Sequence, residues 1–331
     1  MIIVTGAAGF IGSALLAELQ RQGYGELVAV DDFSVASKKA NWEGRKIYQI
    51  VDRESFVEWF STAEIAQKVQ FIFHIGARTN TAETDLALLE HLNVAFSKSV
   101  FEICTQHSIP LIYASSAATY GDGSQGFDDD FEKIHLLKPM NPYGQSKADF
   151  DIWVREQQLK NEIGQPTVPP FWAGFKFFNV FGPNEYHKGR MASVVYHAFN
   201  QIQESQQVKL FKSHRPDYEN GKQKRDFIYV KDLISVLMYF LETRKNSGLY
   251  NLGTGTARTF LDLTKAVFSA MEMPENIEFV DMPSDIRETY QYFTEANMKQ
   301  LREAGFTQDF TSLEDAVADY VNHYLKTSAY F

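Results

Sequence analysis

Tyr143 and Lys147 stand four positions apart in the run Asn141-Pro142-Tyr143-Gly144-Gln145-Ser146-Lys147. On a helix that spacing puts both side chains on one face, one turn apart. A phenol has an ordinary pKa of about 10 and is a poor base near neutrality. An adjacent ammonium favours the phenolate and draws that value down. The pair therefore suits proton exchange with a secondary hydroxyl. Taken alone the signal is weak, because a tyrosine above a lysine is common on amphipathic helices. Other groups must meet it.

The elements that would carry those groups can be read in order. Ile2-Ile3-Val4-Thr5 is a β-branched run of a buried strand. It enters Gly6-Ala7-Ala8-Gly9-Phe10-Ile11-Gly12, and Ala14 to Gln20 is a helix pattern. Strand, glycine turn and helix N-terminus together accept a pyrophosphate. Glu26 to Asp31 is a second strand ending in an acid, with Asp32 beside it. Asp31 falls where an acid binds the adenosine ribose, although a strand-end aspartate also serves as a turn or cap. Asp31 would repel a 2′-phosphate, and Lys38, Lys39 and Arg53 could offset that repulsion. These residues leave NAD and NADP both open.

Lys46 to Val51 reads as a third strand, Ser55 to Gln67 as a helix, and Phe71 to Ala77 as a fourth strand ending in a small turn. The turn Ile75-Gly76-Ala77 can let the backbone approach a cofactor, while His74 reads as a satisfied core residue. Leu86 to Cys104 is a long helix whose buried side is interrupted by Asn93. A buried amide needs partners, so a kinked helix or a cofactor contact is expected there. Pro110 to Ser116 is a fifth strand running into hydroxyls at the edge where α/β sheets bind ligands. Pro142 suits the first turn of the Tyr143 helix.

Phe175 to Pro183 reads as a sixth strand. Alternating strands and helices to this point imply a doubly wound parallel sheet. Beyond it, Met191 to Gln203 is predicted helical, Val208 to Phe211 and Arg225 to Val230 extended, and Asp232 a cap for a helix through Phe240. Leu249 to Gly253 and Asn276 to Val280 read as strands. Thr259, Thr294 and Ser312 begin helices.

Gly6-x-x-Gly9-x-x-Gly12, Asp31, Ser115-Ser116 and Tyr143-x-x-x-Lys147, in this order, resemble the extended short-chain dehydrogenase/reductase family. Its members mostly act on nucleotide sugars. The resemblance runs the length of the chain. It implies an α/β fold with a Rossmann-type sheet domain over 1–180. A smaller mixed α/β substrate-binding lobe is expected over 181–331, with some segments returning to the sheet. It also implies that Ser116 bonds the substrate oxygen, Tyr143 exchanges its proton, and Lys147 holds the nicotinamide ribose.

A finer resemblance lies in Tyr113 to Gly121, Phe178-Asn179-Val180-Phe181-Gly182-Pro183-Asn184-Glu185-Tyr186-His187-Lys188-Gly189, Lys224 to Val230, and Tyr290-Gln291-x-Phe293-Thr294. These are similar to the subfamily that epimerises ADP-heptose at carbon-6, feeding the lipopolysaccharide core. There the lysine matching Lys188 is a second acid/base. An unactivated carbon cannot be epimerised by losing a proton, because nothing stabilises the carbanion. Oxidation to a ketone and re-reduction on the other face avoids this and needs a proton donor on each side. Tyr143 and Lys188 would be those groups.

The resemblance further implies dinucleotide contacts at Phe10, Ile11, Asp32, Asn93, Val180 and Lys188. Substrate contacts are implied at Asn179, Arg190, His197, Phe211, Arg225 and Tyr290. Arg225 suits a pyrophosphate through its planar fork. The subfamily implies NADP, with Lys38 and Arg53 as partners of the extra phosphate, and a homo-oligomer, pentameric by resemblance. The chain departs from the pattern at Ile75, where a glutamate is usual, at Arg190, usually serine, at Arg53, usually lysine, and in a longer 214–224 loop. Another nucleotide-sugar epimerase, dehydratase or reductase is the main rival, although Ala117-Ala118 lacks the acid a dehydratase carries. A non-catalytic cofactor-binding regulator is a remote one, since both Tyr143 and Lys147 are present.

The 331 residues can bury a large core, and 44% hydrophobic with 22% charged residues is ordinary for a globular protein. A formal charge of −10 argues against a nucleic-acid face. The single Cys104 permits no intrachain disulfide and gives no cysteine metal site. No signal-peptide pattern opens the sequence and no apolar run reaches bilayer length, so a cytoplasmic location is expected.

Overall fold

The computed structural model describes residues 1–287 and 290–331. In chain order the first strands are β1 (Ile2–Thr5), β2 (Leu27–Asp31), β3 (Gln49–Asp52), β4 (Phe71–His74), β5 (Leu111–Ser116) and β6 (Trp172–Phe177). Then come β7 (Asn179–Phe181), β8 (Val208–Phe211), β9 (Lys224–Tyr229), β10 (Gly248–Leu252), β11 (Ala257–Thr259) and β12 (Ile277–Val280). Seven of them form one sheet in the order β10-β6-β5-β4-β1-β2-β3, every pairing parallel. Its last strand comes from beyond residue 181. Two smaller sheets, β11-β9-β7 and β12-β8, lie outside it.

The helices that matter for the site are α1 (Phe10–Arg21), α2 (Arg53–Ser61), α3 (86–106), α4 (Pro142–Glu162), α5 (Val194–Ser205), α6 (Val230–Thr243) and α7 (Phe260–Ala270). Successive strand residues point to opposite faces, and both faces are covered. Val4, Ala29 and Phe73 join Leu15 of α1 and Leu233 of α6 in one core. Ile3, Val28 and Ile72 join Phe56 of α2, Phe101 of α3 and Phe150 of α4 in the other. Burial on both faces is why these strands read as unbroken apolar runs. The expected doubly wound α/β architecture is the observed one.

Several local expectations differ, among them the helix expected from Thr294, which starts at Lys299. The run Phe175 to Pro183 is two strands, since Phe178 donates its N–H to Leu252 O at 3.1 Å and the chain then leaves for the β9 sheet. The helix expected over Ser55 to Gln67 breaks at Thr62, whose backbone is extended. Asp232 does not cap α6, for its carboxylate accepts from the Thr311 N–H and hydroxyl, both at 2.9 Å. The helix expected from Met191 starts at Val194, where the Ser193 hydroxyl accepts from Tyr196 N–H. Among the described residues no helix is long and apolar enough to cross a membrane.

The chain runs outward from β1 to β3 on one side and from β4 to β10 on the other. The direction reverses between adjacent β1 and β4, which makes the crevice where open α/β sheets bind ligands. Helix α3 passes this point with a π-helical segment over Glu90–Ala95. Such wide turns accommodate one surplus residue and frequently mark functional sites. Here the turn presents the buried amide of Asn93.

Candidate active site

The glycine turn sits in that crevice. Gly6 has φ +67°, and a Cβ on it would lie 2.6 Å from Gly76 Cα. A Cβ on Gly12 would lie 2.1 Å from Gly6 O. The two turns after β1 and β4 therefore touch backbone to backbone, which only glycines allow. Helix α1 follows with Gly9 at its cap, which supplies no capping side chain, so its first N–H groups stay open to an anion. This cradle fits a dinucleotide. The groove is lined by Gly6, Gly9, Phe10, Ile11 and Gly12, with Asp31, Lys38 and Arg53 on one side. Ile75, Gly76, Ala77 and Lys188 close the other side.

Asp31 is buried and its carboxylate is already engaged. One oxygen accepts from Ala8 N–H at 2.9 Å, and the other meets Lys38 Nζ at 2.8 Å. Asp32 turns away, its carboxylate held by Ser34, and does not line the groove. Asn93 does not line it either. Its amide accepts from Arg78 N–H at 2.7 Å and donates to Arg78 O at 3.0 Å and Ser146 Oγ at 2.9 Å. It ties the turn after β4 to helix α4, so a local distortion of the helix is present where one is expected, and the amide is held by protein partners.

A second cavity of about 430 Å³ continues from the groove and gathers Ser116, Tyr143, Lys147, Asn179, Val180, Lys188 and Arg225. It opens into a third, of about 960 Å³, which adds Arg190 and Tyr290. That extent suits a ligand with several polar groups. His197 and Phe211 line none of the three. The His197 ring faces Arg190 O at 3.4 Å, and Phe211 packs edge-on against Tyr290.

Helix α4 presents Tyr143 and Lys147 to the second cavity, capped by Asn141, whose side chain accepts from Gly144 N–H. Lys147 Nζ donates to Ala114 O at 2.7 Å. Burial pushes its ammonium down to about 8, opposed by Asp151. The expectation that Lys147 draws the phenol down is not met in this protein alone. Burial raises Tyr143 and outweighs the lowering hydrogen bond with Ser116, while the ammonium is directed at a carbonyl. Ser116 sits at the end of β5, its hydroxyl accepting from Ala118 N–H at 3.1 Å.

Lys188 reaches the same cavity from the turn after β7. Its Nζ lies 5.3 Å from the centroid of the Phe10 ring. Burial lowers its ammonium, with Glu185 opposing. The turn is fixed by a fully buried Glu185, which accepts from Ser193 N–H at 2.6 Å and Ser193 Oγ at 2.7 Å. Asn184 holds φ +77° because its amide donates to Ser13 Oγ at 3.0 Å and accepts from Phe331 N–H at 2.8 Å.

A model of the NAD dependent epimerase/dehydratase family matches residues 2–253. The chain belongs to that family. It is 43% identical to the ADP-L-glycero-D-manno-heptose-6-epimerase of Fusobacterium nucleatum, with 98% of each chain covered. To the protein of that name from Nitratidesulfovibrio vulgaris it is 44% identical, again over 98% of each. Its fold is similar to the Helicobacter pylori ADP-L-glycero-D-manno-heptose-6-epimerase, with TM-score 0.78, 23% identity and coverage of 97% and 95%. A Methanobrevibacter ruminantium UDP-N-acetylglucosamine 4-epimerase gives TM-score 0.79 at 21% identity, covering 98% of both.

Several groups in this member of the epimerase/dehydratase family escaped the sequence reading. His187 lines the dinucleotide groove, its Nδ1 3.2 Å from Asn41 Nδ2, and burial lowers it to about 4. Its signal was its place beside Lys188. Thr5 also lines the groove, and Gln291 the third cavity. Lys176 and Asp151 form a buried pair beneath the site at 2.7 Å. Asp151 continues the four-residue spacing of Tyr143 and Lys147, but Lys176 lies on a separate strand and the pairing cannot be read from spacing.

Proposed function

We propose that the chain is an epimerase that inverts carbon-6 of ADP-D-glycero-D-manno-heptose to the L-glycero form. The carrying observation is that Tyr143 and Lys188, from separate elements, line one cavity between the dinucleotide groove and Arg225. Two near-full-length relatives bear the name of that activity. A nicotinamide bound in the groove supplies reversible two-electron oxidation of the substrate carbon.

The chain's own residues do the rest. Ser116 orients the carbon-6 oxygen, and Tyr143 or Lys188 takes its proton as the ketone forms. The ketone turns its other face to the groove, and the opposite member of the pair protonates the new alkoxide. Lys147 holds the ribose, while Arg225 and Tyr290 bind the diphosphate end. NADP is the cofactor of this reading, with Lys38 and Arg53 facing its phosphate, and NAD the other candidate. The reading divides the chain near residue 180 into a dinucleotide domain and a substrate lobe. It places a homo-oligomeric enzyme in the cytoplasm, ahead of lipopolysaccharide core assembly.

Incubation with ADP-D-glycero-D-manno-heptose, followed by NMR of the carbon-6 configuration, tests it. Inversion is expected, and Tyr143→Phe or Lys188→Met should each lower turnover by about a hundredfold or more while dinucleotide stays bound. Inversion of a UDP-hexose instead would refute the substrate, and undiminished turnover in both variants would refute the two-base assignment.

A further inference from the structure

Behind the cavity lies a charge pair that no step above uses. Asp151 is on α4, one turn beyond Lys147 and two beyond Tyr143, so the three share a stripe. Its carboxylate is 1% exposed and Lys176 of β6 is 0% exposed. Lys176 Nζ donates to Asp151 Oδ2 at 2.7 Å and to Thr119 Oγ1 at 2.7 Å. Asp151 also accepts from Ser115 Oγ at 2.7 Å and from the Tyr113 hydroxyl at 3.3 Å. Thr119 in turn donates to Ser116 O at 2.8 Å. The pair is thus bonded to the residue before Ser116 and, through Thr119, to Ser116 itself.

Burying two ions is expensive, and an apolar pair of similar volume would often hold the fold as well. Removing one partner is worse, because the other charge is left without compensation. Here the charge left behind would be a carboxylate on the stripe of Tyr143. Asp151 already acts at that range. After burial, which raises Tyr143, and the Ser116 hydrogen bond, which lowers it, Asp151 is the further cause pushing the phenol up. Lys147 is lowered by burial first, and Asp151 raises it.

We infer that Lys176 is a positioning residue that cancels the charge of Asp151, so that Lys147 alone sets the net charge behind Tyr143 while Thr119 holds Ser116 in place. This rests on the proton-transfer role proposed for Tyr143. The other groups facing the stripe do not supply this cancellation. Tyr113 and Tyr120 are neutral phenols, and burial keeps His74 of β4 neutral. Asp129, bonded to Asn251 N–H, adds negative charge near Tyr120. Lys188 and Arg225 face the stripe only across the cavity.

The test is the pH profile of kcat/KM for the dinucleotide-loaded enzyme. Lys176→Gln loses the charge and keeps an N–H donor, on a side chain one atom shorter. Loss of a nearby positive charge raises phenol and ammonium alike, so the profile should move alkaline by about one unit, a tenfold loss at fixed pH on its rising side. Lys176→Arg should leave it in place, and Asp151→Asn with Lys176→Gln should return it. A uniform loss at every pH in Lys176→Gln, or a double variant displaced as far as the single, overturns the inference. Tyr143→Phe is run alongside. If it keeps full turnover, the proton-transfer reading fails; if it is inactive while the Lys176→Gln profile stays put, only the charge assignment fails.

Discussion

Lys38 and Asp31 meet at 2.8 Å on the rim of the dinucleotide groove, with Arg53 alongside. A lone Asp31 would repel a 2′-phosphate, but a carboxylate paired with Lys38 and Ala8 N–H does so far less. Lys38→Ala should therefore raise the dissociation constant for NADP by about tenfold, the equivalent of one charge-assisted hydrogen bond, and that for NAD much less. Fluorescence titration of both cofactors reads the ratio, and a larger loss for NAD would refute it. Residue types at this scale were largely legible. Ser116, Tyr143, Lys147 and Lys188 carry motifs, and the fold brings all four to one cavity. The response of the phenol was not legible, because it depends on burial and on where Lys147 aims its ammonium, and neither is written in spacing.

Helix α3 and the turn after β4 illustrate what the sequence could and could not convey about elements. Asn93 was visible as a polar break in an apolar stripe, and a local distortion does sit there. Its partners, the Arg78 backbone and Ser146, are 15 and 53 positions away and could not be read from a helical pattern. The strand split at Phe178 was hidden likewise, since β6 and β7 read as one apolar run until Leu252 takes the Phe178 N–H. Asn93→Ala leaves the Arg78 N–H and the Ser146 hydroxyl without that amide. It should destabilise the protein by about 2 kcal/mol in urea unfolding and weaken dinucleotide binding through the loosened turn. Unchanged binding would separate this amide from the groove.

Across the whole molecule, acid stability should carry the mark of His74. It is buried between Thr5 Oγ1 and Ser97 Oγ, both at 2.8 Å, and burial lowers it from 6.5 to about 3. Ser97 donates to Asn93 O at 2.7 Å, so its oxygen accepts from Nε2–H, and Nδ1 is left to accept from Thr5. A second ring proton, on Nδ1, would have to turn the Thr5 hydroxyl from donor to acceptor. The unfolded chain takes up this proton below about 6.5 and the folded protein refuses it until about 3. Stability from this group is therefore present above 6.5 and lost as pH falls, by roughly 1.4 kcal/mol per unit. Asp129, raised to about 6 by burial, acts in the opposite sense below that value. The difference between wild type and His74→Gln isolates the histidine. The variant should be less stable at pH 7 yet lose less between pH 7 and 5 in urea midpoints, and parallel losses would reject the assignment.

The wide turn at Glu90–Ala95 has a consequence for how this chain can change in length. A π turn holds one residue more than an α-helical path needs. Losing a single residue there would let the helix close up normally, with Leu89 before it and Val100, Phe101 and Cys104 after it still facing the core. In an ordinary helix the same deletion would rotate everything downstream by about 100°. Length variation at this point therefore spares the register of the helix, and its cost falls on one amide and the two backbone stretches it joins.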